Sequence, residues 1–339
     1  MWRTRVRLPV LPVPRVLIAL VAVGVSLCQV RAASRELVRL EETDDAMGSM
    51  FSLVLYGPER AKLQGAADAA FDEVHRLDRL LSNYKTDSEW SRVNREAAAR
   101  PVVVSAELFD LLWACLEYGR QSDGAFDITV GPLMRVWGFY KGEGVMPPKS
   151  AVVEALEHVG SRHVRLDRET RAVRFLRPGV ELDPGGVGKG YAVDRMVDVL
   201  RKRGVAAALV SAAGSSIYGL GAPPGEPEGW HVPITAPADP RRAVADVYLE
   251  NLSISTSGSY EKFFWADGRR YAHIIDPRTG HPARGASSVS VVAPRTVDSE
   301  AWTKPFFVHG PDWTPRHAPA HLRVLFCDDT PHESCRWIR

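Results

Sequence analysis

Between Glu181 and Asp194 the chain sets Asp183, four glycines (Gly185, Gly186, Gly188 and Gly190) and Lys189 directly ahead of an amphipathic run. Residue types in that order can hold a phosphorylated ligand. Glycines bring the backbone close and turn N–H groups toward an anion, a helix start adds the favourable end of its dipole, and the lysine adds a full charge. Val193, Met196, Val197 and Leu200 then recur at helical spacing, with Asp194, Arg195, Asp198 and Arg201 between them and Gly204 closing the run. The loop is therefore anchored on a packed helix. Its glycines fit neither a Walker loop nor a dinucleotide fingerprint, and no Ser or Thr follows Lys189. Taken alone, the segment reads equally well as a tight strand-to-helix turn with a solvated lysine.

The elements around it follow from periodicity. A polar lead-in precedes a strand at residues 47–56, and a helix at residues 61–81 turns Phe71, Val74, Leu77 and Leu81 inward and delivers Ser82, Asn83 and Tyr84 at its end. A second helix at residues 106–119 starts from Ser105 and leads to Gly124 through Gly131 and the aromatic patch Trp137, Phe139 and Tyr140; a third, short helix follows Pro147 and Pro148. Strands are expected at residues 164–166, 172–175, 207–211, 248–255, 288–292 and 322–326, with turns at residues 167–170, 222–225 and 276–280. Helices and strands without regular alternation favour an α+β fold over a doubly wound sheet, and the absence of repeats and linkers points to one intertwined domain over residues 36–339.

Composition narrows the class. The 339 residues, 45% of them hydrophobic and 25% charged, suffice for a large core, and a formal charge of +2 gives no argument for nucleic acid. Much of the basic excess sits at Arg3, Arg5, Arg7 and Arg15, ahead of the apolar run at residues 16–27 and the small residues around Ala32. That is the layout of a signal peptide over residues 1–32, cleaved near Ala32 or Ala33. An uncleaved anchor and lipidation at Cys28 are the alternatives, the latter opposed by bulky Leu27 where a lipoprotein signal has a small residue. Either way the expectation is an exported protein, periplasmic or on the outer face of the cytoplasmic membrane, with membrane association through its start. Export permits disulfides, and Cys327 and Cys335 are close enough in sequence to pair; Cys115 falls on the apolar face of the second helix and reads as a buried thiol.

Several segments together resemble the ApbE family, the FAD:protein FMN transferases. They are Met47 with Gly48 and Ser49; residues 77–84 with Asp87, Ser88 and Asn94; residues 124–127 with Trp137 and Phe139; Asp183 to Asp194; residues 255–258 with Tyr260; and residues 273–280. They run in the family's order across most of the chain. The resemblance implies an enzyme that splits the pyrophosphate of FAD, passes FMN to a Thr or Ser of an exported acceptor protein and releases AMP, with Mg2+ as cofactor. By motif position it implies FAD contacts from Met47, Tyr84, Ala125, Phe126, Asp127, Asp183, Lys189 and His273, and a metal ligand in the carbonyl of Gly186. An FAD pyrophosphatase, with water in place of the acceptor, and a non-catalytic FAD-binding homologue are the alternative readings.

The residue chemistry is compatible with these roles. Tyr84 and Phe126 offer flat surfaces for flavin or adenine, or serve as core aromatics. Asp127 and Asp183 can accept from ribose, ribityl or ring N–H groups, or act as turn residues. Lys189 counters pyrophosphate charge, and His273 takes the acceptor proton or only hydrogen-bonds the cofactor, which makes these two the catalytic candidates. Asp276 and Arg278 shape a tight turn.

Two positions depart from the family pattern of an Asp with a Thr four residues later, both serving the metal. Glu300 stands at the Asp position and Lys304 at the Thr position, with Thr303 just before and Asp298 one residue out of step. A carboxylate can hold a hard cation; a protonated lysine cannot. Like unit charges about 4 Å apart repel by about 4 kcal/mol at an effective dielectric near 20, and a divalent ion doubles that. Three arrangements follow: Lys304 turns outward and Glu300 with Thr303 or Asp298 holds Mg2+; the ammonium replaces the metal charge; or turnover is poor. Ala213 also replaces a family glycine, which is tolerable only where φ stays negative.

Overall fold

The strand expected at residues 47–56 is one of eight in a single antiparallel sheet. From edge to edge these are Val38–Ala46, Ser49–Gly57, Ala207–Ala212, Ser216–Leu220, Leu252–Gly258, Ala286–Ala293, Arg323–Asp328 and Cys335–Trp337. The computed structural model describes residues 37–142, 144–330 and 334–339, so the basic and apolar N-terminal segment, with its cleavage site and Cys28, lies outside the described residues. The architecture is α+β, as expected.

Both faces of the sheet's centre are covered, so side chains that alternate along a strand enter different cores. Phe51, Leu53 and Leu55 pack under the helices Arg60–Leu81 and Gly188–Lys202, meeting Ala67, Phe71, Val74, Val193, Met196 and Leu200. Val54 and Tyr56, between them in sequence, face the hairpin Trp230–Ala236 and Asp239–Leu249 through Trp230, Val232, Ile234 and Val247. Each fully buried Val, Leu, Ile, Phe or Met among them contributes about 1.5–3 kcal/mol by leaving water.

The structure corrects several expectations. The polar lead-in is a strand, Val38–Ala46, because it is the sheet's edge and keeps one face wet. Met47 and Gly48, read as the start of a strand, form instead the two-residue hairpin turn after it, with φ of 53° and 66°, the left-handed pair that matches strand twist. The strand expected at residues 248–255 breaks at Glu250 and Asn251, where Asn251 at φ 54° reverses the chain. Two hairpins, Trp230–Leu249 and Phe263–Ala272, are not among the expected elements beyond residues 248–249, although Trp230, Val232, Ile234 and Ala236 alternate with polar or exposed residues in the first.

The helix Thr296–His309 was legible only as an apolar stretch. It is buried nearly all round, so no amphipathic stripe marks it, and Pro305 lies inside it. Its polar residues match the neighbouring strand: Ser299 Oγ lies 2.8 Å from Ser255 Oγ and 3.1 Å from Ser253 Oγ, and Thr303 Oγ1 lies 2.7 Å from Ser257 Oγ. The match is geometric, because four helical residues rise about 6 Å and two strand residues about 6.6 Å.

This helix and Gly188–Lys202 cap each other. Asp194 accepts from Thr296 N at 2.7 Å and Val297 N at 2.9 Å, and Glu300 Oε2 accepts from Gly190 N at 2.5 Å. Two carboxylates thus satisfy helix-start N–H groups across an interface. Gly190 is required for the approach, since a Cβ there would stand 2.5 Å from Thr296 O. Cys327 and Cys335 form a disulfide between paired strands, and Cys115 is buried with burial pushing its thiol pKa up.

Candidate active site

Two chambers meet in front of Gly188–Lys202. The first is largely apolar, lined by Ala125, Phe126, Ile128, Val130, Met134, Ile274, Ile275 and Pro277, with Asp127, Asp183 and Gly186 also in its wall. The second is polar, lined by Lys189, Ser215, Ser216, Thr256, Ser257, Glu261 and Glu300. Gly185, His273 and Lys304 line both. The fold therefore brings together Ala125, Phe126, Asp127, Asp183, Gly186, Lys189, His273 and Glu300 from distant segments. A separate open cleft, lined by Glu107, Tyr191, Arg195 and Arg295, lacks such a constellation, since Glu107, Tyr191 and Arg195 are bonded within an Arg76–Glu73 network.

Three expected residues stand outside both walls. Tyr84 is 76% exposed, with its ring edge-on to Tyr140 at 6.5 Å, while its neighbour Asn83 reaches toward Asp183 at 3.4 Å. Met47 lies against the helix start, its Cε 3.4 Å from where a Cβ on Gly188 would stand. Thr303 Oγ1 donates to Glu300 O at 2.7 Å and bonds Ser257.

The glycine loop spends several of its donors on the chain itself. Gly185 N donates to Asp183 Oδ1 at 2.7 Å, Val187 N and Gly188 N donate to Pro184 O at 3.0 and 2.8 Å, and Gly190 N donates to Glu300. The anion at this helix start is thus one of the chain's own carboxylates. Gly186 is small for a different reason: a Cβ there would stand 3.0 Å from the Phe126 ring.

Positive charge is supplied by side chains. Lys189 Nζ donates to Ser215 Oγ at 2.6 Å, and Ser215 was not anticipated because nothing in the sequence links it to Lys189. Lys304 turns inward, not outward, with Nζ donating to Glu300 O at 2.9 Å. Burial pushes its pKa down to about 8, Glu300 opposing that and Lys189 adding to it.

His273 Nδ1 lies 3.2 Å from the carbonyl of Lys262. A carbonyl only accepts, so Nδ1 carries the hydrogen and Nε2 presents a lone pair. Burial pushes the imidazole down to about 4 against the raising effect of that hydrogen bond, and Lys304, Lys262 and Lys189 add to the depression. The ring is neutral at pH 7 and able to take a proton.

The acids are committed to local structure. Asp127 accepts from Thr129 N and Oγ1 at 2.8 and 2.6 Å and from Ser161 N at 2.8 Å, and burial raises its pKa. Asp183, held by Gly185 N, is likewise raised by burial. Phe126 is both wall and core, 3% exposed and edge-on to Tyr118 at 5.7 Å. Asp276 and Arg278 hold the turn, with Arg278 Nε and Nη2 each donating at 2.9 Å. Ala213 sits at φ 52°, the left-handed region it was expected to avoid, with its N–H held by Met50 O at 2.8 Å.

The expected metal donors do not fit a divalent cation. One oxygen of Glu300 is on Gly190 N, Thr303 donates its hydroxyl to a helix carbonyl, and Asp298 bonds the Tyr118 hydroxyl. The Lys304 side chain lines both chambers, its Cε 3.8 Å from where a Cβ on Gly186 would stand. Among the described residues no group of three or more His, Cys, Asp and Glu is placed to hold a metal ion.

Comparison with known proteins identifies the family. The family model described as "ApbE family" matches residues 47–326. An FAD:protein FMN transferase of Klebsiella pneumoniae is 34% identical over 274 residues, covering 78% of this chain and 77% of that protein. One from Escherichia coli is 36% identical over 242 residues, covering 69% and 68%. The crystal structure of the ApbE protein of Thermotoga maritima superposes with a TM-score of 0.80 at 29% identity, covering 88% of this chain and 97% of that one. With the family model spanning most of the chain and relatives above 30% identity covered over more than two thirds, this chain belongs to the ApbE family.

Proposed function

We propose that this chain is an FAD:protein FMN transferase acting on an exported acceptor protein. The observation that carries the reading is His273, a neutral imidazole with its Nε2 lone pair free, standing where an apolar chamber adjoins a lysine-lined one. The apolar chamber suits an aromatic ring system of FAD, and Lys189 with the Ser215, Thr256 and Ser257 hydroxyls suits its pyrophosphate. The acceptor hydroxyl attacks the phosphorus on the FMN side, Nε2 takes its proton, the bond to the bridging oxygen breaks and AMP leaves. Because the donor set does not fit a divalent cation, no step passes through one.

The arginine-led apolar segment at residues 16–27 and the Cys327–Cys335 disulfide support an exported enzyme, working in the periplasm or on the outer face of the cytoplasmic membrane. Sequencing the N-terminus of protein recovered from cells checks this, with a start near Ala33 expected. The activity is tested by incubating the protein with FAD and a Thr-bearing acceptor domain. Covalent FMN on the acceptor with one AMP per transfer is expected; AMP release that is independent of acceptor would make the protein a pyrophosphatase instead.

A further inference from the structure

We propose that Lys304 is the cation at the pyrophosphate in this chain, so that FAD binding and cleavage need no divalent metal. The inference rests on the transferase reading for its substrate and on the site's geometry for everything else. Lys304 lines both chambers, and its Cε lies 3.8 Å from where a Cβ on Gly186 would stand, so the side chain passes in front of the carbonyl loop expected to serve a metal. Its ammonium is held at one point, by Glu300 O at 2.9 Å, and forms no ion pair among the described residues. Two of its three donors are left for a ligand.

The nearest carboxylate on its helix, Glu300, has one oxygen on Gly190 N and is 3% exposed. Lys189, held by Ser215, faces the same polar chamber. Two ammonium groups and several hydroxyls thus converge on one space that Glu261 and Glu300 also line, and the chemistry the donors match is a diphosphate. Lys189 and Lys304 would divide its charge. As the acceptor oxygen bonds to the FMN-side phosphorus and the electron pair of the broken bond stays on the bridging oxygen, the Lys304 ammonium donates a hydrogen bond to the departing AMP and keeps its own proton, while the acceptor proton goes to His273.

The test measures FAD affinity by flavin fluorescence, and AMP release, in EDTA and in Mg2+, for the wild type, Lys304→Met and Lys304→Arg. The wild type is expected to bind and cleave within about twofold in the two media. Lys304→Met should lose FAD affinity ~10–100-fold in EDTA, the scale of a lost charged hydrogen bond, and Lys304→Arg should retain most of it. Circular dichroism separates this from misfolding. A wild-type affinity or AMP yield raised tenfold or more by Mg2+, or a folded Lys304→Met that binds FAD normally in EDTA, would overturn the assignment. FAD held through Lys304 with no AMP or FMN transfer in either medium would defeat the transferase reading and leave the cation assignment standing.

Discussion

The apolar and polar chambers adjoin across Gly185, His273 and Lys304, yet they are built by different rules. The apolar chamber is an extension of the core: Phe126 and Ile128 belong to the same buried cluster as Leu111, Leu112 and Val289. The polar chamber is held by single hydrogen bonds: Lys189 to Ser215 on another segment, His273 to Lys262 at the base of one hairpin, and Lys304 to Glu300 one turn back along its own helix. Damage to the first should cost stability, whereas damage to the second should cost chemistry and leave the fold intact.

The sharpest test of that division is His273→Asn. It should lower FMN transfer ~10²–10⁴-fold, the usual worth of a positioned base, with melting temperature unchanged; a variant near wild-type rate would remove the base role. The native imidazole is depressed to about 4, below the ordinary 6.5 of an unfolded histidine. The acid limb of the wild-type rate profile should therefore lie near pH 4. By linkage the unfolded chain binds the extra proton between these values, so this ring's stability contribution is full above pH 6.5 and is lost as pH falls toward 4. Denaturant titrations across that window with the wild type and His273→Asn check the sign.

Phe126→Ala strikes the other chamber and should destabilise by about 3–5 kcal/mol, since a buried aromatic is removed from the core. A stability loss below about 1 kcal/mol by denaturant melting would mean that Phe126 is ligand surface only. Lys189→Ala should weaken FAD binding ~10–100-fold without a change in melting, read by fluorescence titration. The smallest effect is expected at the rim of the polar chamber, where Ala213 at φ 52° can be relieved. Ala213→Gly should stabilise by about 1 kcal/mol, and an unchanged midpoint would show that Met50 O and the flanking strands hold this turn without strain.

Much of the fold was legible because it rests on local periodicity. The helices at residues 61–81 and 106–119 and the strands at residues 172–175, 207–211 and 288–292 emerge within a few residues of their expected bounds. What failed did so for physical reasons. The edge strand Val38–Ala46 carries Glu41, Glu42, Asp44 and Asp45 because one side faces solvent, and the helix Thr296–His309 hides its period because it is buried all round. In the site, Asp183 and Lys189 stand out by type and spacing in the glycine loop, and Ala125, Phe126 and His273 are implied by the family resemblance, while Ser215 and the Lys262 carbonyl carried no local signal.

The sequence by itself determined that a glycine loop with one lysine precedes a packed helix, that a histidine follows within the same domain, and that Glu300 and Lys304 break the metal pattern. Only the tertiary structure decided what those residues do to each other. It closed the N–H groups of Gly185, Val187, Gly188 and Gly190 on Asp183, Pro184 and Glu300, and turned Lys304 into the chambers instead of out to solvent. The reason is range: periodicity and turn chemistry act over a few residues, but a carboxylate's partner 110 residues away is selected by which backbones the sheet and its two mutually capped helices bring within hydrogen-bond reach.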